Sequence, residues 1–215
     1  MALLDELMEN AISVEFDDYP LVGQTASRNQ SITTVQASPR FWKFTVDLQT
    51  PILRWDEYRG MVQRIRSTAM FEPFTFNLAN TPKLWTLVDY QGTLSSVQLA
   101  ALDVAAQTGV ALNILNLTGA PPNQAGCFLA GDYIQTGNSV RTVRTDADSD
   151  GTGKIVLLLS DPLLAYPTVG TSIITGKDVS WNNCYFTELP SPGISYEFMD
   201  GITWTGKFKL VQTLS

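Results

Sequence analysis

The chain has 215 residues, a formal net charge of −7 and no histidine. The absence of histidine excludes Ser-His-Asp and Cys-His catalysis and imidazole metal sites. The acidic balance, without a long Lys/Arg cluster, argues against nucleic acid or an anionic membrane surface as a partner. Charged residues make up 16% of the chain, below the roughly 25% of typical soluble domains. That composition suits faces buried against other subunits, and it is equally compatible with a plain β-rich domain that has a Thr/Ser surface.

The N-terminal part of the chain predicts a strand followed by one helix. Residues 1–9 are amphipathic and acidic, which is typical of a short helix or a mobile arm and not of a secretory signal or a membrane span. Apolar and polar residues alternate over residues 41–48, as in a half-buried strand. After Pro51, apolar residues at helical spacing predict a helix near residues 54–69 that covers one face of a sheet. Its arginines form a basic face that either is solvated or contacts an acidic neighbour: Arg54, Arg59, Arg64 and Arg66.

The remainder of the chain predicts mostly strands. Residues 71–78 resume strand character, and residues 97–117 are ambiguous between a short Ala-rich helix and strands, with strands favoured. Residues 193–198 and 202–214 predict an antiparallel pair that closes the fold, with Asp200 and Gly201 as its turn. The only cysteines lie far apart without metal-ligand spacing, and two buried reduced thiols are favoured over a disulfide. They are Cys127 and Cys184.

Proline and glycine positions suggest an inserted domain in a mainly β fold. Residues 1–90 and 190–215 would form a β-sandwich or sheet-plus-one-helix unit. Residues 91–189 would form a second unit, a small β-barrel. A chain of this length is sufficient for one large all-β domain or two smaller ones.

The segment Asp146–Gly151 supports two incompatible interpretations. Aspartates at alternate positions before a glycine match the first half of an EF-hand calcium loop. The second half fails, because the ninth position is Lys154 and the twelfth, where a bidentate Glu belongs, is Leu157. The flanking runs are also strand-like, whereas an EF-hand has helices. We therefore predict the tip of a β-hairpin and no metal site.

Two rival functions have candidate residues. A barrel face could stack aromatic rings on a saccharide, although core or interface packing is the more usual role of such residues. The aromatics are Tyr133, Trp181, Tyr185 and Phe186. A hydrolase would need paired carboxylates, for which sequence adjacency is no evidence, because neighbouring strand residues point to opposite faces. The pairs are Asp17 with Asp18 and Asp132 with Asp161. We predict no catalytic, cofactor or metal site and no enzymatic activity.

Five segments, in this order, resemble the distal tail proteins of long-tailed, non-contractile bacteriophages. They are Ser38–Trp42 at the start of an aromatic strand, the helix end Arg64–Arg66, Gly131–Gln135, Val143–Gly153 and Asp161–Leu164. The resemblance covers most of the chain from Ser38 onward. It implies a ring-forming β-rich domain and an inserted barrel of the oligonucleotide/oligosaccharide-binding (OB) type.

The resemblance also implies a function and a set of partners. Proteins of that family form hexameric rings in the virion, between the tail tube and the central hub of the tail tip. The expected partners are further copies of the chain, the tube protein and the hub protein, with receptor-binding or side-fibre proteins nearby. The resemblance implies no catalytic residues and no cofactor. A carbohydrate-binding barrel module for host attachment is the alternative.

Overall fold

The computed structural model describes residues 3–17, 22–26, 32–36, 42–49, 53–68, 70, 72–107, 111–163, 165–195 and 201–213. These residues form three α-helices: α1 (Leu3–Glu9), α2 (Trp55–Ser67) and α3 (Ser96–Ala100). They also form sixteen β-strands: β1 (Ala11–Asp17), β2 (Val22–Ala26), β3 (Ile32–Gln36), β4 (Lys43–Leu48), β5 (Leu53–Arg54), β6 (Phe74–Asn77), β7 (Asp103–Val104), β8 (Ile114–Thr118), β9 (Tyr133–Thr136), β10 (Ser139–Thr142), β11 (Ile155–Leu158), β12 (Ile174–Thr175), β13 (Ser180–Glu188), β14 (Ser191–Ser195), β15 (Gly201–Thr205) and β16 (Lys207–Gln212). The fold is mainly β, as predicted, with curled antiparallel sheets and a half-barrel.

The largest sheet has five strands in the order β1-β4-β16-β13-β6. Its central strands show the alternation that the sequence predicted. In β4, Phe44, Val46 and Leu48 are buried, and in β16 Phe208 and Leu210 face the same core. Because successive strand residues point to opposite faces, the intervening residues of both strands lie on the outer face of the sheet.

Aromatic contacts show that this sheet is strongly curled. Phe16 on β1 and Trp181 on β13 are separated by two intervening strands, which in a flat sheet would place them about 14 Å apart. Their ring centroids are 5.7 Å apart. Phe44 on β4 and Phe76 on β6 are equally far apart in strand order, and their centroids are separated by only 4.7 Å. The sheet therefore folds around a shared aromatic core.

Helices α1 and α2 cover this core. Leu7 and Met8 of α1 and Met61, Val62 and Ile65 of α2 are all buried in the same hydrophobic cluster as the strand residues. The helix predicted near residues 54–69 is confirmed as α2. Of the two forms predicted for residues 1–9, the short helix is the one observed, as α1.

A second group of strands surrounds a separate core. It contains the three-stranded sheets β11-β8-β7 and β10-β9-β12. Their inward side chains, including Leu115, Leu117, Ile155 and Leu157, are completely buried. This second cluster extends over residues 94–173. Cys127 lies in it and Cys184 in the first cluster, and both are buried free thiols, as predicted.

Strand β13 corrects the predicted end of the inserted unit. The boundary at residue 189 would place β13 in the barrel, but β13 pairs with β6 and β16 in the five-stranded sheet. A division into two units therefore falls before Ser180. Hydrogen bonds join the five-stranded sheet to the β10-β9-β12 sheet at this junction, where Val140 of β10 packs in the first cluster. Oε1 of Gln135 accepts from the backbone N–H of Ser180 at 2.8 Å, and Nε1 of Trp42 donates to the carbonyl of Val140 at 3.2 Å.

Two other predictions need correction. Residues 96–100 form helix α3, where strands were favoured, while β8 follows at residues 114–118. The antiparallel pair is confirmed as β14 with β15, but residues 202–214 are not one strand. Strand β15 ends before Gly206, which has a φ of 127°. Strand β16 begins after it and belongs to a different sheet. The proposed turn residue Gly201 is the first residue of β15, and Asp200 lies outside the described residues.

Candidate functional site

The aspartate segment forms a hairpin tip only in its second half. Ser149 forms a bridge with Ile155, and the backbone of Asp150 is paired with that of Lys154. One carboxylate oxygen of Asp150 accepts from the N–H groups of Thr152 at 2.7 Å and Lys154 at 2.9 Å. These bonds, the one from Lys154 first, lower the pKa of Asp150. This carboxylate therefore stabilises the turn.

The other two aspartates fasten a neighbouring loop. Oδ1 of Asp146 accepts from the N–H of Ala130 at 2.8 Å, and Oδ1 of Asp148 accepts from the N–H of Gly126 at 2.7 Å. Between them, Ala147 is buried and pairs with Phe128. The three carboxylates thus bind separate backbone groups, Asp146 and Asp148 in the neighbouring loop and Asp150 in its own turn. Within the described ranges, no group of three or more His, Cys, Asp or Glu side chains is arranged to hold a metal ion.

The strands beside the aspartate segment pair differently from a simple hairpin. β10 pairs with β9, and β11 pairs with β8. At their base the two flanks are joined by a bridge between Val143 and Leu159 and by hydrogen bonds from Ser160 to the carbonyl of Thr142. The hairpin-tip prediction therefore applies to residues 150–154. The preceding extended residues, 146–149, form hydrogen bonds with residues 124–130 instead.

Three of the four aromatic residues considered for saccharide stacking are core residues or lie against the core. Trp181 is completely buried, and Phe186 is 7% exposed. Tyr133 is half-buried and its ring centroid lies 6.2 Å from that of Trp181. Tyr185 is partly buried on β13. Core packing, the role favoured from the sequence, is therefore observed for Trp181, Phe186 and Tyr133, whereas Tyr185 lies between the buried Cys184 and Phe186 and points to the opposite face of β13.

Of the carboxylates considered as catalytic pairs, Asp132 is bound to backbone N–H groups. Asp132 is buried, and its two oxygens accept from the N–H groups of Gln91 and Leu129, each at 2.8 Å. Burial raises the pKa of Asp132. Its proposed partner Asp161 is buried at 8% exposure. Asp18 lies outside the described residues. The position of Asp132 indicates that it fastens the chain entering the second unit.

The basic face of α2 contacts an acidic neighbour within the same chain. Arg64 forms a salt bridge with Glu6 of α1. Arg59 and Arg66 are exposed to solvent. Of the two interpretations of this face, contact with an acidic neighbour therefore applies at Arg64, and its effect is to join α1 to α2.

Sequence reasoning missed two surface features that are assembled from distant segments. One is an apolar groove of about 550 Å³ on the β11-β8-β7 sheet, in which Val156 and Val169 are exposed. The other is a pocket of about 230 Å³ rich in side-chain amides, beside Asn138 and Asn182. For the amide-rich pocket, the local sequence signal was the pair Asn182-Asn183. Asparagine is depleted in strands and frequent at irregular positions, so this pair indicates an irregularity in the strand.

No protein-family model matches the chain, and no curated protein matches its sequence. The resemblance to distal tail proteins therefore rests on the segments quoted above. The longest described helix, α2, has 13 residues, and no helix in the described part of the chain is both long and apolar enough to cross a membrane.

Proposed function

We propose that the protein is a structural virion component that forms a hexameric ring at the distal end of a phage tail and connects the tail tube to the central hub of the tail tip. The segments that resemble distal tail proteins supply the family. The observation that carries the proposal is the exposure of large apolar side chains on two different sheets, which is the surface chemistry that a ring subunit requires.

The first apolar surface is the groove on the small sheet. Val156 on the edge strand β11 is 61% exposed, and Val169 on the opposite side of the groove is 63% exposed. Contiguous exposed apolar side chains in a soluble protein mark an interaction site more often than single ones do. Lys154 and Asp103 also line the groove, so its apolar floor has charges of both signs beside it.

The second apolar surface lies on the large sheet. Ile12 is 59% exposed and is the extra residue of a bulge in β1, between Ala11 and Ser13. β1 is an edge strand of the five-stranded sheet. A bulge on an edge strand redirects a side chain and interrupts pairing with other strands, so this edge presents an apolar side chain and not a regular ladder of backbone groups.

Two different apolar surfaces suit a ring better than a two-fold dimer. A two-fold contact uses the same patch on both subunits, whereas a head-to-tail contact joins two different patches and generates a ring when the rotation closes. The occupant that we assign to the groove is therefore a second copy of this chain. Permanent interfaces of this kind bury roughly 2,000 Å² or more, which agrees with the low charged fraction of the sequence.

A ring that transmits load also needs a rigid subunit. The large sheet and the β10-β9-β12 sheet are joined by hydrogen bonds, from Trp42 to Val140 on β10 and from Ser180 to Gln135 on β9. These bonds fix the small sheets relative to the large one. The upper and lower faces of such a ring remain for the tube and hub proteins.

Size-exclusion chromatography with light scattering tests the proposal. We expect assemblies of six copies of the 23.6 kDa chain, either alone at high concentration or together with the tube and hub proteins encoded by neighbouring genes. Val156→Asp should abolish assembly, because it places an unpaired charge in the contact. Its melting temperature should remain near that of the wild type, because the side chain is exposed.

Leu87→Asp is the matched control, because Leu87 is 48% exposed and lies outside the groove. It should leave assembly unchanged. Loss of assembly in both variants would contradict the assignment of the groove as the contact. A protein that stays monomeric at every concentration and binds neither tube nor hub protein would contradict the ring itself.

A further inference from the structure

The amide-rich pocket lies at the junction of the two cores. It is formed by the β9–β10 turn, the irregular part of β13, the end of β16 and residues 165–167. Its volume is about 230 Å³, below the roughly 300–1,000 Å³ of sites for drug-sized ligands. In the described part of the chain, the ten residues that line it have no formally charged side chain. The pocket therefore suits a small neutral ligand.

Its amide side chains are held in fixed orientations. Nδ2 of Asn182 donates to Oδ1 of Asn138 at 3.0 Å, and Oδ1 of Asn182 accepts from the hydroxyl of Thr75 at 2.9 Å. The oxygen of Asn138 is thus engaged, which leaves its NH2 group as the donor for a ligand. Because Asn138 is exposed at the turn, that group is accessible from solvent.

A bulge in β13 places the amides at the pocket. The pairing of β13 with β6 shifts register between Trp181 and Cys184, and Asn183 between them has a φ of 57°. Asparagine tolerates this left-handed conformation better than most residues. The N–H of Thr213 donates to the carbonyl of Asn183 at 3.0 Å, which fixes the bulge. Bulges often occur beside functional sites, where they redirect side chains.

The floor of the pocket is rigid and polar. Gln212 is 2% exposed, and its Nε2 donates to the carbonyl of Asn182 at 3.0 Å. On the opposite side, Nε2 of the buried Gln135 donates to the carbonyl of Gly137 at 2.9 Å and holds the β9–β10 turn. Ordering these groups on binding should cost little, because they are already ordered.

One wall is aromatic. Tyr166 is 49% exposed and Pro167 follows it at the rim. A neutral sugar ring has hydroxyl groups around its edge and an apolar C–H face. Fixed amides match the hydroxyl groups, and a tyrosine ring matches the C–H face because it combines an apolar surface with a polar end.

We propose that this pocket binds one neutral sugar unit, either as a free monosaccharide or as the terminal unit of a glycan. The ring of Tyr166 stacks on the C–H face of the sugar, and the amide of Asn138 donates to a hydroxyl group. The site differs from the aromatic face considered from the sequence, because none of those four aromatic residues lines this pocket. It does not depend on ring assembly, since every group that forms it belongs to one subunit.

Saturation-transfer NMR on the full-length chain tests this proposal. The probes are the methyl glycosides of glucose, galactose, mannose, rhamnose and N-acetylglucosamine. We expect saturation transfer to at least one of them, with a roughly millimolar Kd, as is usual for a ligand of this size. A glycoside with a carboxylate, methyl glucuronide, should bind more weakly, because the lining has no cation and the chain has a net charge of −7.

Tyr166→Ala and Asn138→Ala should each weaken binding by at least about tenfold, without a change in melting temperature. The matched control is Thr168→Ala, which is exposed in the same connecting segment but lines neither the pocket nor the apolar groove, and which should bind like the wild type. Absence of saturation transfer to all five glycosides from the folded protein would overturn the proposal. Equal weakening by Thr168→Ala and Tyr166→Ala would also overturn it, because the site would then lie elsewhere.

Discussion

Gly153 occupies a position where a side chain cannot be accommodated. Its φ is 76°, and a Cβ atom there would lie 2.2 Å from the carbonyl oxygen of Ala120. The N–H of Ala120 donates in turn to the carbonyl of Gly153 at 3.1 Å, so the two backbones are held in contact. Both the left-handed backbone and the clash with main-chain atoms penalise any other residue.

We therefore expect Gly153→Ala to lower the free energy of unfolding by about 2–3 kcal/mol, as measured by denaturant titration. Gly151→Ala in the same turn is the control, since its nearest neighbour would be 3.7 Å away, and it should change stability by less than about 0.5 kcal/mol. Equal effects of the two substitutions would show that this close approach does not contribute to the fold.

The buried carboxyl of Asp132 should make the free energy of unfolding depend on pH. Burial, and to a smaller extent the charges of Asp146 and Asp89, raise its pKa in the folded protein above 3.8. The hydrogen bonds from Leu129 and Gln91 act in the opposite direction but do not outweigh burial. The stability that this carboxyl contributes is fully present below pH 3.8 and is lost as the pH rises through the folded pKa.

An Asp132→Asn variant does not titrate at this position. The stability of the variant relative to the wild type should therefore rise as the pH increases above 3.8 and become constant once the pH has passed the folded pKa of Asp132. Denaturant titrations of both proteins at several pH values would measure this difference. A difference that is constant with pH, or that falls as the pH rises, would contradict the raised pKa.

At the scale of secondary-structure elements, α1 belongs to the folded core and is not a surface arm. Leu7 is completely buried in the first hydrophobic cluster, whereas Glu6 pairs with Arg64 near the surface. Leu7→Ala should lower the free energy of unfolding by about 2–5 kcal/mol through lost burial and a cavity. Glu6→Gln should cost less than about 1 kcal/mol, because exposed ion pairs contribute little.

Thermal and denaturant unfolding of both α1 variants would separate the two contributions. A negligible effect of Leu7→Ala would mean that α1 does not pack against the sheet in solution. A larger effect of Glu6→Gln than of Leu7→Ala would mean that the salt bridge with Arg64, and not the hydrophobic contact, attaches the helix.

Elements with a strong periodic pattern could be predicted from the sequence. The alternation in β4 and the helical spacing in α2 each encode the face that is buried, so both elements were located within a few residues. A helix at the position of α3 was the less favoured of two predictions, although its signal was local. Ser95 accepts from the N–H of Gln98, and the side chain of Gln98 accepts in turn from the N–H of Ser95, which is a capping box.

Features that depend on distant segments could not be predicted. The bulge at Asn182 and Asn183 exists because β13 must pair with β6 and β16 at once, and no local pattern records that register. The amide-rich pocket combines the β9–β10 turn, β13 and β16, which only tertiary pairing brings together. Strand pairing also decided the orientation of Trp181, since the sequence gives its hydrophobicity but not the curl of the sheet.

At the scale of the whole molecule, the central question is whether the two cores unfold together. Each core contains one buried cysteine, Cys184 in the first and Cys127 in the second. The five tryptophans all lie at positions 42–85 or 181–204, outside residues 94–173 of the second cluster, so their fluorescence reports on the chain outside that cluster. The bond between Gln135 and Ser180 couples the large sheet to the second core.

We expect one cooperative transition in the wild type. During a denaturant titration, pulsed thiol labelling read out by peptide mass spectrometry should show Cys127 and Cys184 becoming reactive at the same denaturant concentration, together with the change in tryptophan fluorescence. Gln135→Ala removes the acceptor of Ser180 and the donor to Gly137 and should separate the two labelling midpoints. Separate midpoints already in the wild type would show that the junction does not couple the cores, and a subunit hinged in this way could not transmit load through a ring as a rigid body.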